Sequence, residues 1–446
     1  MSTPNRTHRQ PRRLRRHLLA VALASAFTLP AAFAKDDSPW CGDRCDQVVL
    51  DWNQAAHQVI QAADGYANPL TASRSLAMTH LAMHDAVNAV KRRYATYALG
   101  EQTARRRGGA RGSDEAAAAV AASAAAHDLL LALYPTQKDL LRATLDATLH
   151  DAGIGAEVAD AVATGKRAAA AVLAKRAADG SQGSEDYREG SAPGNYRFVP
   201  GTDFILMPHW RKVQPFALRS PDQFRVAPPP ALGSAEYTEA FEEVKAGGSD
   251  AANAARTPDQ AHYAAFWYEF SDAGWNRVAR VVARDHKQDL WERARTFALL
   301  NVAMADSYIA GWDSKLHHDF WRPVTAIREA ATDGNPATLA DTGWNSFLPT
   351  PPIQDHPSTH SALGAAAATV LAHAFHRDAL KFSVSSPTAV AANPQRSFTS
   401  FSQAARENAD SRVRAGLHFR FATTQGLVLG QRVGGHAVGT LLTPQY

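Results

Sequence analysis

Apolar residues recur at helical spacing from Val48 to Ala63 and again from Ala72 to Tyr97, with no strand-like alternation. Ala-rich segments follow at about 114–133, 136–152 and 156–178, with Pro135 placed as a first-turn residue. The period is lost at Asp179. Residues 179–234 are rich in Gly, Ser, Pro and aromatics, and Trp210, Phe216, Phe224 and the many prolines predict an ordered cover between two halves. Helical period returns at about 235–247, 258–271 and 286–310, and an Ala/Leu/Val run to Phe375 reads as a helix buried on most sides. No stretch offers convincing successive strands. The pattern predicts an all-α fold of helical bundles: an N-terminal helical region, 35–234, that includes the long connector, and a C-terminal bundle, 235–446.

The first 34 residues stand apart from this pattern. Six arginines precede an apolar stretch from Leu18 to Phe33, and Ala32-Phe33-Ala34 lies before Lys35-Asp36-Asp37, which reads as a secretory signal peptide with an Ala-x-Ala cleavage site. An exported protein, periplasmic or secreted, is expected. Six of the 47 basic residues lie in that leader, so the remainder carries 41 basic against 43 acidic side chains, about −2. The basic pI of the whole chain therefore argues for neither a nucleic-acid nor a membrane-surface partner. No later apolar run of the length a membrane span needs is apparent in the sequence. The two cysteines, Cys41 and Cys45, fit a small-loop disulfide in an oxidising compartment.

Several features read first as structure. His80 and His84 share one face of a helix but have no evident third ligand, so packing is favoured over a metal site. Thr103 to Gly112 is a basic, Gly-rich connector, and Pro349 to Pro352 a stiff approach to the turn at Ser358. No Glu-x-x-His occurs anywhere, which disfavours a carboxylate-bridged di-metal bundle.

Other features are charged or catalytic in type. Lys315 near the end of one helix and Arg322, just before Pro323 at the start of the next, can converge on an anion, with Asp319 as their evident local acid. Pro357-Ser358-Thr359-His360 opens the Ala-rich helix, whose first-turn N–H groups favour negative charge. In 410–421, read as helix, Ser411 and His418 lie nearly on one face, with Arg412 within reach.

Taken together, Lys315-x6-Arg322-Pro323, Pro357-Ser358-Thr359-His360 and Ser411-Arg412-x5-His418 resemble the three-part signature of the vanadium-dependent haloperoxidase and type 2 phosphatidic acid phosphatase superfamily. Trp312 and the run Phe320 to Ile327 resemble its soluble bacterial haloperoxidase-like branch most. The resemblance implies a vanadium chloroperoxidase-like fold with the active site in the C-terminal bundle. It implies that Lys315, Arg322 and Arg412 neutralise the oxygens of vanadate, or of phosphate, while Ser358 and the Thr359 amide donate hydrogen bonds. His418 is then the axial partner, ligating vanadium or attacking phosphorus, and His360 the general acid/base. Small-molecule partners follow: hydrogen peroxide and halide, or a phosphate ester. In the haloperoxidase chemistry Lys315 polarises peroxide for oxidation of the halide.

Two positions depart from the family pattern. Thr359 stands where Gly is usual, and Ala422 where an Asp four residues past the last His would orient that His. A haloperoxidase-type enzyme is the first expectation and an exported acid phosphatase with a phosphohistidine the second. A non-catalytic oxyanion-binding protein is a third.

Overall fold

A computed structural model describes residues 43–100, 111–152 and 156–445. The signal-peptide segment, Cys41 and most of the basic connector before residue 111 lie outside them. Cys45 is disulfide-bonded.

The longest element is α9, Leu290–His318. Its start is written in the sequence as a capping box. The Asp289 carboxylate accepts from the Glu292 N–H, and the Glu292 carboxylate accepts from the Asp289 N–H, both at 3.0 Å. Nearly every side chain from Leu290 to Lys315 is buried, because helices cover it on all sides. Asp319, in the left-handed region with φ 46°, ends it.

The N-terminal bundle comprises α1 (Asp43–Asp64), α2 (Pro69–Val90), α3 (Arg111–Leu133), α4 (Lys138–Ala152) and α5 (Ala156–Arg176). Helices α2, α3 and α5 pack on one another, and α1 and α2 also lie against α9. The expected helix to Tyr97 stops at Val90. Asn88 accepts from the Arg93 and Tyr94 amides, and Asp85 accepts from those of Tyr97, Ala98 and Leu99, so side-chain oxygens turn the chain back. Among the described residues one helix, Asp114–Leu133 within α3, is long and apolar enough to cross a membrane, a run the sequence reading passed over. Here it is a core helix, 61% buried, against α2 and α5. His80 bonds Asn53 at 2.8 Å and His84 bonds Asn88 at 3.1 Å.

The connector runs over α9. The Asp306 carboxylate on α9 accepts from the amides of Phe216, Ala217 and Leu218 at 2.7–3.0 Å. Farther along, Arg225 makes a two-pronged pair with Asp313, and Trp312 donates to the Leu206 carbonyl.

The C-terminal part adds α6 (Ala235–Gly247), α7 (Pro258–Phe266), α8 (Ser271–Asp285), α10 (Pro323–Arg328), α11 (Thr359–Ala374), α12 (Phe401–Arg414) and α13 (Arg420–Thr440). The period placed helix ends near 271 and 286. Instead α8 occupies that interval, and α9 begins afresh at its own cap. One short antiparallel hairpin interrupts the helices: β1 (Phe382–Ser385) pairs with β2 (Gln395–Phe398), Phe382 opposite Phe398. Its four-residue strands are too short to show as alternation.

Helix α11 packs mainly on α13, with α9 and α12 beside it. The close approach depends on Gly426, Gly430 and Gly434 on α13. A Cβ at Gly430 would meet the Ala362 carbonyl oxygen at 2.0 Å, and one at Gly426 the Ser358 oxygen at 2.3 Å.

Candidate active site

Lys315 lies in the last turn of α9, and Arg322 is the N-cap of α10. Both are buried. The Lys315 ammonium donates to the carbonyls of Gln354 (2.6 Å) and Asp355 (3.0 Å), and Arg322 donates to those of Ile353 (2.6 Å) and Leu417 (2.7 Å). Asp319, the acid expected beside them, instead accepts from Tyr187 at 2.6 Å and Gln354 at 3.0 Å.

Ser358 is the N-cap of α11, accepting from the Ser361 amide (3.4 Å) and hydroxyl (3.0 Å). Its own O–H remains to be donated. Thr359 opens the first turn, so its N–H has no partner within the helix, and its buried hydroxyl oxygen has none either.

His418 is not on one helix with Ser411. Helix α12 ends at Arg414, and the chain turns at Gly416, φ +78°. A Cβ there would meet the Gly248 carbonyl oxygen at 2.2 Å, so only glycine fits this turn. His418 follows in the loop and α13 starts at Arg420. This loop, rather than a helical face, brings His418 to Arg322, whose Nη1 lies 3.0 Å from His418 Nε2.

A residue that sequence reasoning missed completes the site. The buried Asp355 carboxylate lies 2.8 Å from His418 Nδ1 and 3.9 Å from Arg322. Neither of its oxygens has a well-formed hydrogen bond, so the link to the ring is a close charge contact. Burial pushes its carboxyl up to about 7, against the pull of Arg322 and Lys315. Its position two residues before Pro357 was visible in the sequence; its direction was not.

The arrangement selects a tautomer. Arg322 Nη1 lies 3.0 Å from Nε2 and 3.4 Å from Nδ1 of His418, so the choice falls to Asp355, whose carboxylate favours the proton on Nδ1 and leaves the Nε2 lone pair to a guest. Burial first, then Arg322, Lys315 and Arg412, hold His418 well below the usual imidazole range. His360, partly exposed, is likewise held well below it by burial, then Arg412, Arg322 and Lys315. Its Nε2 faces the Glu269 carbonyl at 3.2 Å; a proton there leaves Nδ1 basic. Lys315, Arg322 and Arg412 thus act on both rings.

Lys315 is held well below the ordinary lysine range by burial and then by Arg322. Arg412 is brought down to about 9, mainly by burial. Two of its guanidinium nitrogens, Nε and Nη1, are buried without a partner. An unpaired buried cation is costly. Two further buried cations, Lys315 and Arg322, the capped start of α11 with donors to spare and the His418 imidazole make up the rest of the donor set. That donor set fits a tetrahedral oxyanion such as vanadate.

Comparison with known proteins agrees. Residues 45–204 match the vanadium chloroperoxidase N-terminal domain, and 295–443 match the vanadium chloroperoxidase second helical-bundle domain. The vanadium chloroperoxidase of Curvularia inaequalis is 32% identical over 173 residues, taking in 32% of this chain and only 28% of that protein. The crystal structure of a bacterial vanadium-dependent iodoperoxidase is similar at TM-score 0.72 and 27% identity, covering 90% of this chain and 98% of that one. An apo bacterial vanadium-dependent chloroperoxidase has the same fold, with TM-score 0.68 at 18% identity over 82% of this chain and 92% of that one. Two domain matches in chain order and a shared fold lead to one conclusion: this chain belongs to the vanadium haloperoxidase superfamily.

Proposed function

We propose that this protein is a vanadate-dependent haloperoxidase that oxidises a halide with hydrogen peroxide to hypohalous acid, consuming one proton and releasing water. The observation that carries the reading is the buried Arg412 guanidinium, unpartnered at two nitrogens and near enough to help hold His418 below the usual imidazole range. Vanadate, when bound, supplies the Lewis-acidic centre at which peroxide is activated.

The chain supplies the rest. Lys315, Arg322 and Arg412 neutralise the oxyanion, and the Ser358 hydroxyl and Thr359 amide donate to it. His418 offers Nε2, while Asp355 keeps the proton on Nδ1 and favours positive charge on the ring. His360, with Nε2 turned to the Glu269 carbonyl, has Nδ1 to take a proton from peroxide and return it to the leaving oxygen. An arriving anion favours the charged Lys315, opposing the burial that lowers its pKa.

Asp355 also favours a second reading. The phosphatase alternative needs a carboxylate behind the nucleophilic His, and Ala422 had removed the expected one. Asp355 stands 2.8 Å from Nδ1 and supplies that charge from another loop. One comparison separates the two: bromination or iodination with peroxide, and phosphate-ester hydrolysis, each with and without orthovanadate. Halogenation that requires vanadate is expected. Hydrolysis inhibited by vanadate supports the phosphatase, and either activity surviving intact in His418→Ala sinks the assignment of that residue. Binding of vanadate with neither activity leaves an oxyanion-binding protein. The basic and apolar leader with Ala32-Phe33-Ala34 supports export to the periplasm or medium.

A further inference from the structure

A separate cavity of about 610 Å³ opens where the N-terminal turns of α9 meet the C-terminal ends of α11 and α13. Its walls carry Lys287, Arg295 and Arg377, with three histidines, 286, 373 and 376, beside them. None of the three cations forms an ion pair among the described residues. The one acid on the wall, Glu292, is committed to capping the Asp289 amide. Burial, then Arg295 and His376, lowers the His373 pKa. Cations near helix C-termini offset the local dipoles, and the Arg295 Nε–H does donate to the Leu442 carbonyl at 2.8 Å. The dipoles explain neither an open volume in the range of metabolite sites nor Lys287, which precedes a helix start.

The wall also holds a buried amide. Gln288 lines the same cavity and is 7% exposed. Its amide nitrogen faces the Thr296 hydroxyl (3.0 Å) and the Ala374 carbonyl (3.3 Å). A carbonyl only accepts, so the amide orientation is fixed and Gln288 Oε1 is left buried without a partner. Tyr94 and Phe375 also line the cavity, with the Arg295 guanidinium over the Tyr94 ring at 5.1 Å, so cation and ring lie together on one wall.

We propose that this cavity binds a small aryl dianion, its two negative charges matched to the excess of cations and its ring to the aromatic wall. The site is independent of the oxyanion cage, and its test does not use catalysis. Phthalate is titrated calorimetrically into full-length protein already saturated with vanadate; a planar dicarboxylate does not mimic the tetrahedral guest of the cage. One saturable site is expected, weakened about tenfold by Arg377→Gln plus Lys287→Gln, exposed positions whose replacement leaves the core intact. Arg412→Gln should leave phthalate binding unchanged. Phenyl phosphate is expected to bind at the same site, and inorganic phosphate more weakly for want of the ring. The proposal is overturned by lack of saturable phthalate binding up to about 10 mM. It is equally overturned by binding that survives the double variant, disappears with Arg412→Gln, or is matched by inorganic phosphate.

Discussion

Asp355 Oδ1 lies 2.8 Å from His418 Nδ1 although α11 and α12 separate the two along the chain, and both side chains are buried. The carboxylate that family members place four residues after this His is Ala422 here, and another loop supplies it. Asp355→Ala and Asp355→Asn, which both remove the negative charge beside Nδ1, are each expected to lower vanadate affinity about 10- to 100-fold. Equilibrium dialysis against orthovanadate measures both. Equal affinity in Asp355→Ala and the parent would remove Asp355 from this role.

Arg412 yields a prediction with opposite signs in two conditions. Without vanadate, Arg412→Met removes an unpaired buried charge and is expected to raise unfolding free energy by about 1–4 kcal/mol. With vanadate at about 100 times its Kd, the parent gains about 2.7 kcal/mol and the variant gains little. Urea denaturation with and without vanadate reads both. A destabilised variant in the absence of vanadate would contradict the orphaned-cation account.

Binding should take up protons. Lys315 is depressed in the free protein, by burial and then by Arg322, and a bound anion raises it again. Affinity for vanadate is therefore expected to fall as pH rises above that depressed value and toward the ordinary lysine value of about 10.4. Calorimetry in buffers of different ionisation enthalpy detects the uptake, and Lys315→Met should reduce it. Heats that do not depend on the buffer would reject this coupling.

The packing of α11 on α13 is open to a test that leaves the charges alone. Gly430→Ala places a methyl 2.0 Å from the Ala362 carbonyl oxygen, so the helices must separate. A loss of about 1–3 kcal/mol in stability is expected, with weaker vanadate binding because Ser358 rides on the same helix. Unchanged stability would mean that the glycine stripe is not needed for the approach.

Local physics was legible in the sequence. Helical period located most helices; the capping box at Asp289 and the cap at Ser358 follow from short-range hydrogen bonding. The three motifs named Lys315, Arg322, Ser358, Thr359, His360, Arg412 and His418, since residue types at fixed spacing persist in a string of letters. Tertiary contact decided the rest. Only the folded chain turns at Gly416 to deliver His418 from a loop, sends Asp319 to Tyr187, and sets Asp355 behind the imidazole. The Lys315 and Arg412 pKa values were likewise hidden, because desolvation depends on what surrounds a side chain in space. A sequence carries the order of its charges. Burial and the meeting of distant segments set their strength.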